Sequence, residues 1–333
     1  MSDRPRVFVS RVLPGGTAPG SPLATLGDHV EVDLWEQELP PAAEAVRAHA
    51  VDVDGLLTVL TERVDAALLD AAPKVRVVAN MAVGYDNIDI PACTERGVLV
   101  TNTPGVLTEA TADMTWALLL AAARRLPEGD RALRSGAWGP WHPTWLLGHR
   151  VSGATLGIVG PGRIGRAVAQ RALGFGMTVL YYGRRPVADF PGTFVSLDDL
   201  LARAEYVSMH VPFTPETARM CDTAFFARMR PEAIFVNTTR GGVVDQEALA
   251  GALHSGRIAA AGIDVMTPEP IPVDDPLLSA PHLVVAPHLG SATLETRTAM
   301  AQLAVEGLLA GLDGRAPANA VNPEALTVPG GRA

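Results

Sequence analysis

The sequence predicts an α/β protein built from two doubly wound parallel sheets. Short apolar runs alternate with helix-like segments along nearly the whole chain, which is typical of parallel strands joined by crossover helices. One stretch, TLGIVGPGRIGRAVAQRALGFGMTVLYYGRR (155–185), has the order strand, glycine turn, helix and strand. A chain of 333 residues is long enough for two domains, each with its own core.

The first hundred residues carry the elements of one small α/β domain, complete by about Thr103. A Pro/Gly-rich loop is predicted over 14–22. Strands are predicted at 6–10, 30–35, 55–60 and 75–80, and helices at 42–50 and 64–71. A longer helix is predicted from Thr108 to Arg125, with Thr108 as its N-cap and Glu109 in its first turn, where a negative charge suits the helix dipole.

The second part of the chain repeats the βα pattern on a larger scale. Strands are predicted at 156–159, 178–182, 206–211, 233–238, 262–265 and 283–286, and helices at 197–203, 224–229 and 246–255. A last helix is predicted at 294–312.

The glycine turn predicts a dinucleotide site. Gly160 allows the tight turn, Gly162 lets the backbone approach a pyrophosphate, and Gly165 lets the helix pack closely on the strand. Arg163 and Ile164 open the helix, whose free N–H groups hold the anion. The alternative is an ordinary glycine-rich βα turn.

The end of the following strand indicates which dinucleotide is bound. An NAD site places an acidic residue there to bind the ribose 2′-hydroxyl, whereas this chain has Gly183, Arg184 and Arg185. Two guanidinium groups can bind a 2′-phosphate. We therefore expect NADP(H) rather than NAD(H), unless the arginines are simply solvated surface residues.

Three chemically versatile residues follow predicted strand ends, where doubly wound sheets bind ligands. Arg240 can bind the carboxylate of a 2-oxo acid and polarise its keto oxygen. His288 can supply the proton, and Glu269 can orient the imidazole and favour its protonated form. Each also has an ordinary structural interpretation, as a surface arginine, a polar turn and a loop histidine.

Further segments are weaker candidates. The segment NMAVGYD (80–86) follows a strand end and exposes backbone N–H groups that suit a carboxylate, or is a plain βα turn. His210, in a His-Val-Pro sequence (210–212), is expected to be a wall of the cofactor cleft. Three tryptophans in the 136–148 loop, Trp138, Trp141 and Trp145, suggest either a dimer contact or a local hydrophobic cluster.

Composition restricts the possible partners and location. The formal net charge of −9 argues against nucleic acid and anionic membranes. Two cysteines without metal spacing, and histidines without zinc spacing, predict neither a disulfide framework nor a metal site. No apolar run is long enough to span a bilayer, and the N-terminus does not resemble a signal peptide, so we expect a cytoplasmic protein.

Six segments together resemble the D-isomer-specific 2-hydroxyacid dehydrogenase family over nearly the whole chain. They are VANMAVGYDNID, VTNTPGVLTEATADMTWALLLAAARR, GIVGPGRIG, NTTRGGVVD, GIDVMTPEP and APHLGSAT. AVGYDNID, WHPTWLLG and YYGRRP are most similar to the glyoxylate and hydroxypyruvate reductase branch.

The resemblance implies a discontinuous domain organisation. A flavodoxin-like substrate domain would comprise residues 1–103 and 289–333, with a Rossmann NAD(P)-binding domain at 104–288 inserted into it. The family is usually dimeric through the inserted domain, and in the reductase branch the loop that carries Trp141 reaches toward the partner's active site.

The resemblance also implies roles for individual residues. It supports Arg240, Glu269 and His288 as the catalytic set, and implies that Val83 and Gly84 grip the substrate carboxylate. The nicotinamide side would be lined by Thr238, Thr239, Arg240, Asp264, His288 and Gly290, while His210, Val211 and Pro212 would border the cofactor. Thr239 stands where the family often has alanine, and Pro161 where it often has leucine or another apolar residue; the proline removes one N–H donor.

The expected activity is therefore the NADPH-dependent reduction of glyoxylate and hydroxypyruvate to glycolate and D-glycerate. A dehydrogenase for another D-2-hydroxy acid, such as a lactate-like, phosphoglycerate-like or larger substrate, is the alternative within the enzyme class. A nucleotide-sensing regulator, as in the family's corepressors, is the alternative outside it.

Overall fold

A computed structural model describes residues 4–332 and divides the chain into two compact units. Unit 1 combines Met1–Leu107 with Ala292–Ala333, and unit 2 is Thr108–Ser291. These divisions lie four and three residues beyond the predicted 103/104 and 288/289 boundaries (107 against 103, 291 against 288). The chain passes from one unit to the other at or just before a long helix, at Thr108–Ala123 and at Leu294–Leu312.

Unit 1 has a five-stranded parallel sheet in the order β2-β1-β3-β4-β5. This is the doubly wound order of flavodoxin-like folds. Its strands are β1 (Arg6–Val9), β2 (Glu31–Leu34), β3 (Gly55–Thr58), β4 (Val77–Asn80) and β5 (Leu99–Thr101). Its helices are α1 (Pro22–His29), α2 (Ala43–Ala50), α3 (Ala66–Ala71), α4 (Ile90–Glu95) and, near the end of the chain, α11 (Leu294–Leu312).

Helix α11 belongs to the core of the first unit although nearly two hundred residues separate it from β5 (294 against 101). Leu308 and Leu312 pack with Val77 and other residues of the sheet in one buried cluster. The chain that follows is also tied to the sheet, because the Val100 N–H donates to Asn322 Oδ1 over 2.7 Å. Unit 1 is thus assembled from both ends of the sequence.

Unit 2 has a seven-stranded parallel sheet in the order β12-β11-β10-β9-β6-β7-β8. Counted from β6, this is the Rossmann order with one further strand at the β12 edge. Its strands are β6 (Thr155–Val159), β7 (Thr178–Tyr182), β8 (Thr193–Phe194), β9 (Tyr206–Met209), β10 (Ile234–Asn237), β11 (Ala260–Ile263) and β12 (Leu283–Val285). Its helices are α5 (Thr108–Ala123), α6 (Leu126–Arg134), α7 (Arg163–Gly174), α8 (Leu197–Arg203), α9 (Thr223–Arg228) and α10 (Gln246–His254).

The predicted fold class of two doubly wound parallel sheets is confirmed, with local corrections. The short elements α1, α4, β5, α6 and β8 were not predicted. Thr108 is the first residue of α5 rather than its N-cap. Strand β11 begins two residues earlier than predicted (260 against 262). Within 4–332, no helix is both long and apolar enough to cross a membrane.

Candidate active site

The glycine turn between β6 and α7 is fixed by close backbone contacts. Gly160 has φ +102°, and its N–H donates to the Tyr182 carbonyl over 2.9 Å. A Cβ on Gly160 would lie 2.6 Å from the His210 carbonyl carbon and oxygen, and one on Gly165 would lie 2.4 Å from the Gly160 oxygen. Larger side chains would therefore displace the turn from β9 and the helix from the turn.

The start of α7 has the features of an anion site. Gly162 caps the helix without a side-chain hydrogen bond, and no atom would lie within 4 Å of a Cβ there. In the part of the chain that the structure describes, the backbone N–H groups of Arg163, Ile164 and Gly165 have no acceptor. Three converging donors and an open approach fit the pyrophosphate of a dinucleotide.

Gly183, Arg184 and Arg185 follow β7 directly, beside the glycine turn. Both arginines are exposed, and no acidic residue occupies these three positions. The two guanidinium groups are thus available to an anion at this edge of the sheet.

The segment after β9 contributes a partly buried, uncharged histidine. Burial lowers the pKa of His210 to about 3, so the imidazole is neutral at physiological pH. Its Nε2 lies 2.9 Å from the Ser208 hydroxyl oxygen. Val211 and Pro212 continue this segment, and the Pro212 carbonyl accepts a 2.6 Å hydrogen bond from the Thr217 hydroxyl.

His288 and Glu269 form a hydrogen-bonded pair. The Nδ1 atom of His288 lies 2.7 Å from Oε2 of Glu269, whose Oε1 accepts from the Met266 N–H over 3.0 Å. Burial alone would raise the pKa of Glu269, but hydrogen bonds from His288 and the Met266 N–H, with the charge of Arg240, hold it below its usual range. Glu269 is therefore ionised at neutral pH, and Arg240 lies close enough to act on its charge.

Asp264 fixes the loop that carries the histidine. Its carboxylate is buried and accepts 2.7 Å hydrogen bonds from the N–H groups of Leu289 and Gly290. The His288 N–H donates to the Asp264 carbonyl over 2.8 Å, and His288 has φ +56°. A non-glycine residue with this backbone conformation is strained, and these three bonds hold it in place.

Arg240 lies in a turn that Asn237 organises. Asn237 Oδ1 accepts from the N–H and hydroxyl of Thr239, while its Nδ2 donates to the Arg240 carbonyl over 3.1 Å. The Thr238 hydroxyl lies 2.9 Å from that of Thr115 on α5. This turn and the loop after β11 touch through their backbones, since a Cβ on Gly241 would lie 2.0 Å from the Met266 oxygen.

Within unit 1, the loop after β4 has a one-sided hydrogen-bonding pattern. The carbonyls of Ala82, Val83 and Gly84 accept from the Thr103 N–H, Asn102 Nδ2 and Asn80 Nδ2, over 2.8, 2.8 and 2.9 Å. The N–H groups of Val83 and Gly84 have no acceptor among the described residues. Three hydrogen bonds therefore hold the carbonyl groups of this loop, while the N–H groups of Val83 and Gly84 remain available to an anion.

The tryptophan loop is exposed in the isolated chain. Trp141 is 82% exposed, and Trp138 and Trp145 are 54% and 43% exposed. This exposure disfavours the alternative of a local hydrophobic cluster. Geometry within unit 2 does not assign Trp141 to a substrate site.

Several residues that organise these loops were not predicted from the sequence. Asn237, Asn80 and Asn102 are all at or just after strand ends, which was the signal that identified Arg240 and His288. An asparagine there also fits an ordinary turn, so position alone does not separate the two roles.

The chain is similar to known proteins over nearly its full length. The family model for the NAD-binding domain of D-isomer-specific 2-hydroxyacid dehydrogenases matches residues 116–290. A glyoxylate reductase of Korarchaeum cryptofilum is 50% identical over 330 residues, covering 98% of both chains.

Two solved structures extend the similarity to the fold. The TT0316 protein of Thermus thermophilus has a TM-score of 0.89 and 47% identity, covering 95% of this chain and 99% of that one. An NADPH-dependent glyoxylate/hydroxypyruvate reductase of Sinorhizobium meliloti, solved with NADP and malonate, has a TM-score of 0.83 and 35% identity, covering 97% and 98%. The chain belongs to the D-isomer-specific 2-hydroxyacid dehydrogenase family, in its glyoxylate reductase branch, and carries that family's nicotinamide-binding domain.

Proposed function

We propose that the protein uses NADPH to reduce glyoxylate and hydroxypyruvate to glycolate and D-glycerate. The observation that carries this proposal is the His288–Glu269 pair, 2.7 Å apart and within the charge influence of Arg240, in the unit that holds the dinucleotide turn. A cation, a proton donor and a hydride source are the three components that reduction of a 2-oxo acid requires.

Arg240 binds the substrate. Its guanidinium pairs with the carboxylate and polarises the keto oxygen, which becomes an alkoxide as reduction proceeds. In unit 1, the N–H groups of Val83 and Gly84, which have no acceptor among the described residues, are the proposed backbone donors to a substrate carboxylate. Thr238, Thr239, Asp264 and Gly290 border the nicotinamide, and Asp264 also holds the loop that carries His288.

His288 supplies the proton from Nε2, because Nδ1 is engaged with Glu269. The ionised Glu269 stabilises the protonated imidazole and fixes its orientation. When bound, the dinucleotide supplies the hydride. His288 is neutral after the proton transfer and regains its proton from solvent before the next turnover.

NADPH is favoured over NADH by the residues after β7. Arg184 and Arg185 would bind the 2′-phosphate, and no carboxylate at 183–185 repels it. The Sinorhizobium reductase, described as NADPH-dependent, supports this assignment by its similarity.

We further propose that the protein acts as a homodimer. A segment of unit 2 exposes many large apolar side chains, which is typical of a surface that a partner covers. They are Leu126 (65%), Leu133 (59%), Trp138 (54%), Trp141 (82%), Trp145 (43%) and Leu147 (64%). Trp141 then serves the partner subunit's substrate site.

We also propose a cytoplasmic location, because an NADPH-dependent reductase requires a supply of reduced cofactor.

The test is the initial rate of cofactor oxidation at 340 nm with NADPH or NADH and glyoxylate, hydroxypyruvate, pyruvate or a bulky 2-oxo acid. We expect fast NADPH oxidation with the first two substrates. Faster rates with NADH would reject the role of the arginines, and activity on the larger acid alone would move the protein to another D-2-hydroxy acid. Tight nucleotide binding without turnover would indicate a sensor.

A further inference from the structure

A neighbouring residue, and not its own backbone conformation, requires glycine at position 183. It is the first residue after β7, the position where NAD sites carry the acidic residue that binds the ribose. Its φ is not in the left-handed region, so the backbone does not require glycine. A Cβ there would instead lie 2.7 Å from Cδ and 2.8 Å from Cγ of Pro161. Nonbonded carbons prefer about 3.5–4.0 Å, so a side chain at 183 overlaps the proline ring.

Pro161 has little freedom to move away. Its ring is closed onto the backbone, so no rotation about a side-chain bond clears the space. On one side, the Gly160 N–H donates a hydrogen bond to the Tyr182 carbonyl, and Gly160 packs against the His210 backbone. On the other side, Gly162 caps α7. The next atom near the added Cβ is the Arg185 oxygen at 3.8 Å, an ordinary contact, so the ring is the obstacle.

We infer that Pro161 is a specificity-determining residue for the cofactor. Its ring keeps position 183 free of any side chain, and thereby excludes the carboxylate that would bind the 2′-hydroxyl of NAD and repel the 2′-phosphate of NADP. Pro161 contributes no N–H to the phosphate turn, but it leaves the ribose edge open to Arg184 and Arg185. This inference rests on the proposed NADPH-dependent function.

Its central prediction is that the effects of substitutions at 161 and 183 depend on one another. Pro161→Ala removes both overlapping ring carbons, and Gly183→Ala adds the smallest side chain without adding charge. In the Pro161 background, we expect Gly183→Ala to weaken NADPH and NADH binding roughly 10-fold, because overpacking a rigid contact is costly. In the Pro161→Ala background, the same change should alter either Kd less than about twofold. Equal effects in the two backgrounds would overturn the inference.

The second part of the experiment places a carboxylate at position 183. Gly183→Asp alone should gain little NADH activity, because the side chain has no room. Combined with Pro161→Ala, it should raise kcat/KM for NADH at least about 10-fold above the single variant and lower that for NADPH. Thermal melting of all variants shows whether each remains folded, and the alanine pair still tests the coupling where an aspartate variant does not fold.

The two proposals fail in different ways. NADH preference in the unmodified protein would reject the proposed cofactor, whereas additive effects of Pro161→Ala and Gly183→Ala would reject the role of Pro161. A gain of NADH activity by Gly183→Asp with Pro161 in place would also reject that role, whichever cofactor the unmodified protein prefers.

Discussion

At the scale of single residues, the hydrogen bond between His288 and Glu269 is the contact on which the proposed proton transfer depends. Glu269→Gln keeps the shape of the side chain and a hydrogen-bonding group but removes the charge that favours a protonated imidazole. We expect kcat for glyoxylate reduction to fall about 100-fold, and the loss of activity at alkaline pH to begin at a lower pH. The measurement is kcat against pH from about 5.5 to 9.5.

The chain contains a matched control for this substitution. Glu128 lies 2.9 Å from Nδ1 of His282, also as a carboxylate–imidazole pair, but the proposed mechanism does not use it. Glu128→Gln should leave both kcat and its pH dependence unchanged. If Glu269→Gln behaves like this control, Glu269 does not support the proton donor.

His210 makes a separate prediction about stability. Its pKa is about 3 in the folded protein, against about 6.5 for an unperturbed histidine, so the unfolded chain binds a proton that the folded chain excludes. Below pH 6.5 this contribution lowers the free energy of unfolding by roughly 1.4 kcal/mol per pH unit. His210→Asn removes the titrating group. The melting temperature of the unmodified protein should therefore fall faster than that of the variant between pH 7 and pH 5.

Calorimetry at matched pH values checks this prediction. Because both proteins carry the same carboxylates, the change in the difference between their melting temperatures isolates His210. A constant difference from pH 7 to pH 5 would mean that His210 is accessible to protons in the folded state.

The candidate functional residues recognised in the sequence are those that follow strand ends. Arg240, Glu269 and His288 stand out because each is a chemically versatile side chain at a place where doubly wound sheets bind ligands. Contacts between residues far apart in the sequence are harder to recognise. The contact between Pro161 and Gly183 joins two turns that are 22 residues apart (183 against 161), and only the packing of those turns brings them together. The sequence shows that Pro161 lacks an N–H donor, but it does not show that the proline ring would overlap a side chain at position 183.

At the scale of elements, the loop after β4 illustrates how side chains can hold a candidate substrate-binding loop. Asn102 Nδ2 donates to the Val83 carbonyl over 2.8 Å, so the peptide that follows presents its N–H away from the sheet. Asn102→Ala leaves this carbonyl without its donor. We expect KM for glyoxylate to rise about 10-fold, with a smaller change in kcat, because a partly buried carbonyl that has lost its donor favours reorientation of the peptide.

The Kd for NADPH is the internal control for Asn102→Ala. The dinucleotide turn lies in unit 2, whereas Asn102 and its partner lie in unit 1, so cofactor binding should remain unchanged. An equal loss of NADPH affinity would indicate general damage to the protein, and an unchanged KM would show that this loop does not bind the substrate.

The three helices that were not predicted from the sequence lack a clear helical pattern, each for a different reason. Helix α6 buries none of its residues, so it has no apolar face directed at its own core. Helix α4 has only six residues, and α1 begins at a proline that also fits the preceding loop. In contrast, the predicted bounds of α8 and α11 match the structure, because each has buried apolar residues at helical spacing and a Ser or Thr N-cap.

At the scale of the whole molecule, chain order alone did not indicate that α11 returns to the first sheet. A helix that follows the last strand of a doubly wound domain is normally expected to cover that domain. The resemblance to a known family implied the return, and the packing of Leu308 and Leu312 with Val77 shows it. Neither the periodicity of the sequence nor the structure of one chain contains the contacts of the proposed dimer, so these need a separate experiment.

The proposed homodimer makes a prediction that separates a shared site from a structural contact. If Trp141 completes the partner's substrate site, then Trp141→Ala and Arg240→Ala homodimers should both be poor enzymes. A mixed dimer should recover one intact site, formed by Arg240 of the Trp141→Ala subunit and the tryptophan of the Arg240→Ala subunit. We expect mixing after mild dissociation to restore up to about one quarter of the activity, since random pairing yields half mixed dimers with one working site each. Sedimentation must show dimers throughout. No recovery in mixed dimers would mean that Trp141 does not complete the partner's site, and a monomer at micromolar concentration would reject the homodimer.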